Sequence, residues 1–380
     1  MKLRAIVFAT LTVTSLTAQR SLATHKKSFS SSLLLRMSSS INDIRVTTYN
    51  VLSSNLCDPK YHTSCTKENL DQANRYVKVK AMLQKEVDSK AIICLQEVST
   101  KWACSLHTFF AENKYQFITG LYGHKFNGYM GVAIAVPSDV YDLLTVDITK
   151  GSDTMKEIKQ PKPTSFQNFK KKYLTDPFTR LKSIFVYRNK PIDPWVESAW
   201  KKNDIVTVEL RKKSSDKSFF VGTYHMPCVF KVPPLMMIHC ALYVQHLQRI
   251  SNGAAYICTG DFNIKPDSEM YKMITTGTID ENNKEHYPPA CAKYENPLKL
   301  KIQPLRSAIK VALGEEPAFT NWGQTQDSPP FIGTLDYIFL SDGWNVSSTA
   351  PLPSLEATVG PLPNDVQPSD HLLISATLSV

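Results

Sequence analysis

From residue 44 onward the chain is punctuated by nine short apolar runs rich in β-branched and aromatic residues, and six of them carry at or near one end Asn50, Glu97, His225, Asp261, Asp336 or His371. The runs are IRVTTYNVL (44–52), AIICLQEV (91–98), YQFIT (115–119), GVAIAV (131–136), IVTVELR (205–211), FFVGTYH (219–225), AAYICTGDF (254–262), LDYIFLS (335–341) and HLLISATL (371–378). Their length, composition and partial alternation predict strands. Helical spacing is predicted for 67–88, 102–112, 234–251 and 267–275; the third opens after Val-Pro-Pro and carries Leu235, Ile238, Leu242 and Leu247 at close to helical spacing. Strands alternate with helices, yet several strands follow one another directly. That pattern predicts an α/β fold with mixed sheets, not a chain of βαβ units.

The 380 residues suffice for one large domain, since single cores stop growing near roughly 250–300 residues. No apolar run reaches the ~18–20 residues needed to span a bilayer, so no membrane span is expected. The net charge is +10, but residues 1–42 hold six Lys/Arg and no Asp or Glu, which leaves the remainder at about +4. A body so mildly basic permits a polyanionic substrate without demanding one. None of the eight Cys forms a Cys-x-x-Cys, and Cys57, His62 and Cys65 match no standard zinc spacing. Cys94 and Cys258 sit inside apolar runs and are expected to be buried free thiols.

The first 42 residues read as a targeting segment, removed or disordered. A basic start, an apolar stretch of about 14 residues and small residues after it fit a secretory signal; the Ser-rich, acid-free stretch that follows fits an organellar transit peptide. The expected destination is a mitochondrion or plastid, with the secretory pathway, or the cytosol from a start at Met37, as alternatives. Residues 43–380 are then the catalytic domain. Within it, 150–202 breaks the pattern: it holds five prolines and the run Lys170-Lys171-Lys172, with eleven Lys/Arg against three Asp/Glu between 150 and 190. It is either a solvated surface insertion or a strip that neutralises a nucleic-acid backbone.

The chemistry-bearing residues share one placement. Asn50, Glu97, His225, Asp261 with Asn263, Asp336, and Asp370 with His371 all fall at or just beyond ends of apolar runs. A charge there is costly unless paired or metal-bound, and carboxylates converging on one cleft make a hard oxygen site suited to Mg²⁺, with Mn²⁺ as a substitute. Singly, each has a plainer reading: Gly-Asp-Phe-Asn a turn, Glu97 a salt-bridge partner, His225 a core histidine, Ser-Asp-His a capped turn. Their joint occurrence in this order makes the case.

Four stretches carry a resemblance: YNVL (49–52) with LQEV (95–98), TGDFNIKPDSEMY (259–271), FTNW (319–322) with FIGTLDYIFLS (331–341), and LPNDVQPSDH (362–371). From about Ile44 to the C-terminus the chain resembles the endonuclease/exonuclease/phosphatase superfamily, whose type member is DNase I. It is most similar to the deadenylase-type branch, which includes carbon catabolite repressor 4-like nucleases, nocturnin, angel proteins and 2′,5′-phosphodiesterases. The resemblance implies a four-layer α/β sandwich, two packed mixed sheets flanked by helices. It also implies roles. Glu97 would hold Mg²⁺ with Asn50 beside it, Asp261 would orient or deprotonate the attacking water, and Asn263 would donate to a phosphate oxygen. His225 would contact the phosphate or protonate the leaving group. Asp336 would bind metal or set the pKa of His371; Asp370 would fix the tautomer of its neighbour or of another site group; His371 would contact the phosphate or act as base. Phe331 occupies the place of an aromatic that packs on adenine in that branch. Pro227, Phe230, Pro233 and Pro234 offer further apolar walls, though their register departs from the family, as does the 150–202 insertion.

The expected function is thus a Mg²⁺-dependent 3′→5′ exoribonuclease on adenylate-rich RNA. Alternatives are a small-molecule phosphatase or phosphodiesterase acting on NADP or 2′,5′-oligoadenylate, and, from another class, a catalytically silent RNA-binding module. Silent members would lack residues such as Glu97, Asp261 or His371, and all are present. No leucine-rich repeat precedes the nuclease region, so docking on a large deadenylase scaffold is not expected.

Overall fold

In the computed structural model, which describes residues 43–158, 192–326 and 328–380, the apolar runs pair into two six-stranded sheets. The first, in the order β13-β14-β1-β2-β4-β3, comprises β1 (Ile44–Asn50), β2 (Ile92–Val98), β3 (Tyr115–Leu121), β4 (Gly131–Pro137), β13 (Asn345–Thr349) and β14 (Ile374–Ser379). The second, in the order β5-β6-β7-β8-β12-β9, comprises β5 (Tyr141–Lys150), β6 (Asp204–Lys212), β7 (Ser218–His225), β8 (Tyr256–Asp261), β9 (Arg306–Ser307) and β12 (Asp336–Leu340). A two-stranded ribbon, β10 (Asn321–Gly323) with β11 (Phe331–Gly333), stands apart. Residues 1–42, where a targeting segment is expected, and the Lys170-Lys171-Lys172 run lie outside the described residues.

Alternation along each strand builds the layers. In β2, Ile92 and Cys94 face the partner sheet and join Val208, Val221, Ile257 and Ile338 in a core between the sheets. Ile93 and Leu95 point the other way, onto α2 (Gln72–Asp88) and α3 (Thr100–Glu112), where Val79, Leu83, Trp102 and Phe110 cover them. On the far side, Tyr224 and Cys258 lie under α5 (Pro233–Ser251) and α6 (Glu269–Thr276) through Met237, Cys240, Tyr243 and Met273. The result is the helix–sheet–sheet–helix sandwich. Among the described strands only β1–β2 and β7–β8 are parallel, and each is bridged by a helical crossover, as parallel pairing requires.

The predicted helix 67–88 is interrupted. Asp71 caps a new helix by accepting from the N–H groups of Ala73 and Asn74, which separates α1 (Lys67–Leu70) from α2. The edge strands β5 and β13 were not expected, because the solvent face of β5 carries exposed Leu144, Val146 and Ile148, which mask the alternation, and Val346 is the one apolar residue of β13. Part of the 150–202 stretch is integral to the fold: α4 (Pro194–Trp200) buries Trp195 against Ile238 and Leu242 of α5 and against Tyr294. Among the described residues no helix is long and apolar enough to cross a membrane.

Candidate active site

Strand register brings the polar residues together at one end of the sandwich. His225, Asp261 and Asp336 stand opposite one another across β7, β8 and β12. Gly260 makes this possible: its φ is +138°, and a Cβ there would lie 2.0 Å from the Tyr224 carbonyl oxygen. Across the sandwich, Asn50 pairs with Gln96. Glu97 follows in a bulge, where the β2–β4 ladder slips between Leu95 and Val98 and Glu97 takes φ +57°. A bulge re-aims one side chain without ending the strand, and here the carboxylate turns into the site. Gln96 ties the two halves: its buried amide donates to Thr48 of β1 and to Thr223 of β7, both at 2.9 Å.

Asn50 is the hub. Its Nδ2 donates to Glu97 Oε1 at 3.1 Å and to Asp261 Oδ2 at 3.0 Å, and lies 3.4 Å from His371 Nε2. Its own amide oxygen accepts from Leu52 N, and its backbone carbonyl from the Ser369 hydroxyl. The second Glu97 oxygen accepts from Ser53 N at 3.1 Å. His225 Nε2 lies 3.6 Å from Asp261 Oδ2 and 3.9 Å from Glu97 Oε1. His371 Nε2 lies 3.7 Å from Asp261 Oδ2. Asn263, in the left-handed region at φ +52°, donates its backbone N–H to Asp261 Oδ1 and its amide to the Met226 carbonyl.

The partner of His371 is Asp336, whose Oδ2 accepts from Nδ1 at 2.8 Å. This corrects the tautomer-fixing role given to Asp370. The Asp370 carboxylate is only partly buried and accepts, at 3.4 Å, from the hydroxyl of Ser369. Its backbone carbonyl is what the fold uses, accepting from Trp322 N and the Asn321 amide.

Three carboxylates thus face two imidazoles with almost no solvent: Asp261 is 2% exposed and Asp336 1%. Burial pushes the Asp261 carboxyl up, helped by the Asp336 charge and opposed by His371 and His225. Burial opposes the charging of His371, yet Asp336, Asp261 and Asp370 together hold it well above the ordinary imidazole range. Asp336 Oδ1 is buried with no hydrogen-bond partner. Asp261, Asp336 and His371 each offer a ligand atom within 4.8 Å of the others. An unpaired buried oxygen and excess negative charge at an oxygen-rich site are what a hard divalent cation would satisfy.

A family model described as the endonuclease/exonuclease/phosphatase family matches residues 47–371. The chain belongs to that family. Human 2′,5′-phosphodiesterase 12 is 31% identical over 180 residues, 46% of this chain and 28% of that protein. A probable CCR4-Not complex 3′-5′-exoribonuclease subunit of Encephalitozoon cuniculi is 29% identical over 184 residues, 46% of this chain and 34% of that protein. The matched stretches therefore span about a third or less of those relatives' lengths. The fold is that of ANGEL2, a 2′,3′-cyclic phosphatase solved with adenosine-2′,3′-vanadate (TM-score 0.65, 17% identity, 89% of this chain and 95% of that one). The human nocturnin catalytic domain is similar at TM-score 0.56 and 20% identity, covering 89% of this chain and 93% of that one.

In this family member, a cavity of about 490 Å³ opens beside Asn263, lined by Phe331, Phe230, Pro233, Lys265 and His286 among others. The Lys265 ammonium lies 5.3 Å from the centre of the Phe331 ring. Phe331, Phe230 and Pro233 are thus brought to one wall system next to the polar cluster. A larger cavity, about 770 Å³, lies further along α5 among Leu242, His246, Arg249 and Tyr294, and none of the clustered polar residues lines it.

Sequence reasoning missed the supports. Thr320 donates to Asp336 Oδ2 at 2.7 Å and accepts from the N–H groups of Leu335 and Asp336. It sits in FTNW, where the motif itself was the available signal. Tyr122 lies 3.3 Å from His225 Nδ1. Burial, then the Glu97 charge, holds its hydroxyl well above the usual phenol range. Donation from it to Nδ1 leaves Nε2 as the N–H facing Asp261 and Glu97. Nothing in the glycine-rich stretch around Tyr122 announces this role.

Proposed function

We propose that the chain is a Mg²⁺-dependent phosphodiesterase, a 3′→5′ exoribonuclease on adenylate-rich RNA that releases nucleoside 5′-monophosphates. One observation carries the reading: Glu97 Oε1 and Asp261 Oδ2, from opposite sheets, share a single Asn50 amide beside His225 and His371. Relatives that include exoribonucleases and 2′,5′-phosphodiesterases support it. The Phe331 cavity favours a substrate with a base, since base–aromatic stacking contributes about 1–3 kcal/mol.

Glu97, with Asp261 or Asp336, would hold the cation, which when bound neutralises phosphate charge and acidifies a water. Asp261, buried and raised in pKa, is a stronger base than a surface carboxylate and is placed to orient or accept a proton from the attacking water. His371, charged and fixed by Asp336, supplies a cation at the phosphate. His225 presents Nε2 to the same space and donates to a phosphate oxygen or the leaving oxygen. Asn263 keeps one amide hydrogen beyond its bond to Met226 and donates it to the phosphate.

The 2′,5′-phosphodiesterase relatives sustain a second reading, with 2′,5′-oligoadenylate as substrate. A panel of oligo(A), other homopolymers, 2′,5′-oligoadenylate and NADP, each with and without chelator, separates them. Stepwise shortening of oligo(A) with release of AMP is expected. Release of free phosphate from NADP without RNA cleavage would overturn the exoribonuclease reading. Residues 1–42 are proposed to direct the protein to an organelle; N-terminal sequencing of the native protein starting near Met1 would contradict removal of that segment.

A further inference from the structure

The β3–β4 connection, residues 122–130, carries two solvent-exposed aromatic rings on a loop that is firmly tied down. Phe126 is 82% exposed and Tyr129 52%. Yet the loop is closed by bonds from Tyr122 N and Gly123 N to the Met130 carbonyl and from Tyr129 N to the His124 carbonyl, and by His124 N donating to the Asn127 side chain. Gly128 takes φ +68°, and a Cβ there would meet Asn55 at 2.7 Å. A loop so held presents its rings at little further ordering cost on binding.

The loop is also wired to the polar cluster. Ser53 donates its hydroxyl to the Asn127 carbonyl at 2.7 Å and its backbone N–H to Glu97 Oε2. Thr100 N bonds the Gly128 carbonyl, and Tyr122, at the loop's start, reaches His225. Strand order sets its flank: β3 and β4 lie beyond β2, on the Glu97 side, whereas the ribbon bearing Phe331 leads into β12, beyond β8. Aromatic rings therefore stand on both flanks of the cluster. Immediately before Phe126 lie exposed His124 and Lys125, and the loop has no Asp or Glu. Exposed aromatic rings beside a lysine, on a loop with no acidic residue, suit a single nucleic-acid strand, whose bases stack and whose phosphates are neutralised.

We infer that Phe126 and Tyr129 form a stacking platform for bases of a single-stranded nucleic acid, on the side of the scissile phosphodiester opposite the Phe331 cavity. The inference rests on the phosphodiesterase reading of the cluster. The platform makes binding and turnover depend on chain length, because a dinucleotide reaches it little and a hexamer spans it.

The test measures binding of 5′-fluorescein-labelled A2 and A6 to the Asp261→Asn protein by anisotropy, and kcat/KM for the same oligomers in the otherwise native enzyme, each with Phe126→Leu, Phe126→Trp and the Phe126→Ala/Tyr129→Ala pair. The Ala pair and Phe126→Leu should weaken A6 binding at least about fivefold more than A2 binding, and Phe126→Trp should restore it. Equal losses for A2 and A6, unchanged A6 affinity in the Ala pair, or Leu matching Trp would overturn the platform. Unchanged A6 affinity would leave these rings as a protein-contact surface. Absence of A2 and A6 turnover with intact, ring-dependent A6 binding would instead overturn the phosphodiesterase reading and leave the platform standing.

Discussion

At the scale of single residues, Asp261 concentrates the problem the site solves. Its carboxylate is buried between two imidazoles and another carboxylate, shares the Asn50 amide with Glu97, and is held by Asn263 N. Asp261→Asn keeps the volume and removes the proposed base; kcat should fall by about 10²–10⁴, with thermal stability held or raised, because a buried charge is gone. Fall-off in kcat below tenfold would remove Asp261 from the chemistry. Asp336 and Asp370 make a paired comparison. Asp336→Asn takes away the negative charge that keeps His371 protonated, so kcat should drop at least about 10²-fold, whereas Asp370→Ala leaves the backbone bonds that matter and should cost less than about tenfold. Equal losses would restore Asp370 to the centre. Much of this was legible beforehand: Asn50, Glu97, His225, Asp261, Asn263, Asp336 and His371 stand at ends of apolar runs, where an unpaired polar group is hard to bury. Thr320 and Tyr122 were not, because their roles depend on how segments far apart in sequence meet.

At the scale of elements, the site is two half-sites that must be held in register. Arg75 on α2 does this from beneath. It is 1% exposed, donates to the carbonyls of Pro368, Val51 and Leu52, and lies 5.0 Å from the centre of the Trp102 ring. It thereby joins the turn after Asn50 to the turn before His371. Arg75→Met keeps the packing but strands three carbonyls, at about 1–3 kcal/mol each when buried. Denaturant unfolding should show a loss of about 3 kcal/mol or more, and kcat should fall as well; a loss below about 1 kcal/mol would contradict this. The sequence marks Arg75 only as one more cation on an amphipathic helix. The helices and core strands were readable from periodicity. The edge strands β5 and β13 were not, because one face of each meets solvent and its alternation is diluted. The Glu97 bulge was also hidden, since it exists only against β4.

At the scale of the whole molecule, stability and activity should respond to different perturbations. His239 lies on α5 away from the cluster, accepting from Tyr224 and donating to the Ser198 carbonyl. Burial holds it at about 4, against the Ser198 bond that favours its charged form. Between that value and its unfolded value near 6.5, the unfolded chain binds a proton that the folded chain does not. Stability is therefore full above about pH 6.5 and declines toward pH 4, by about 3 kcal/mol in all. Unfolding free energies measured across that window should fall more steeply for the native protein than for His239→Gln, and parallel slopes would exclude His239 as the cause. Activity, by contrast, should follow the cation. The most direct measurement is a Mg²⁺ titration of chelator-treated protein hydrolysing labelled oligo(A), in the native enzyme and in Glu97→Gln. Turnover should be absent without added metal, rise to saturation with it, and require at least about tenfold more Mg²⁺ in Glu97→Gln. Full turnover in excess chelator, or an identical Mg²⁺ requirement in the two proteins, would contradict a hydrolytic centre built on Glu97 and its neighbours.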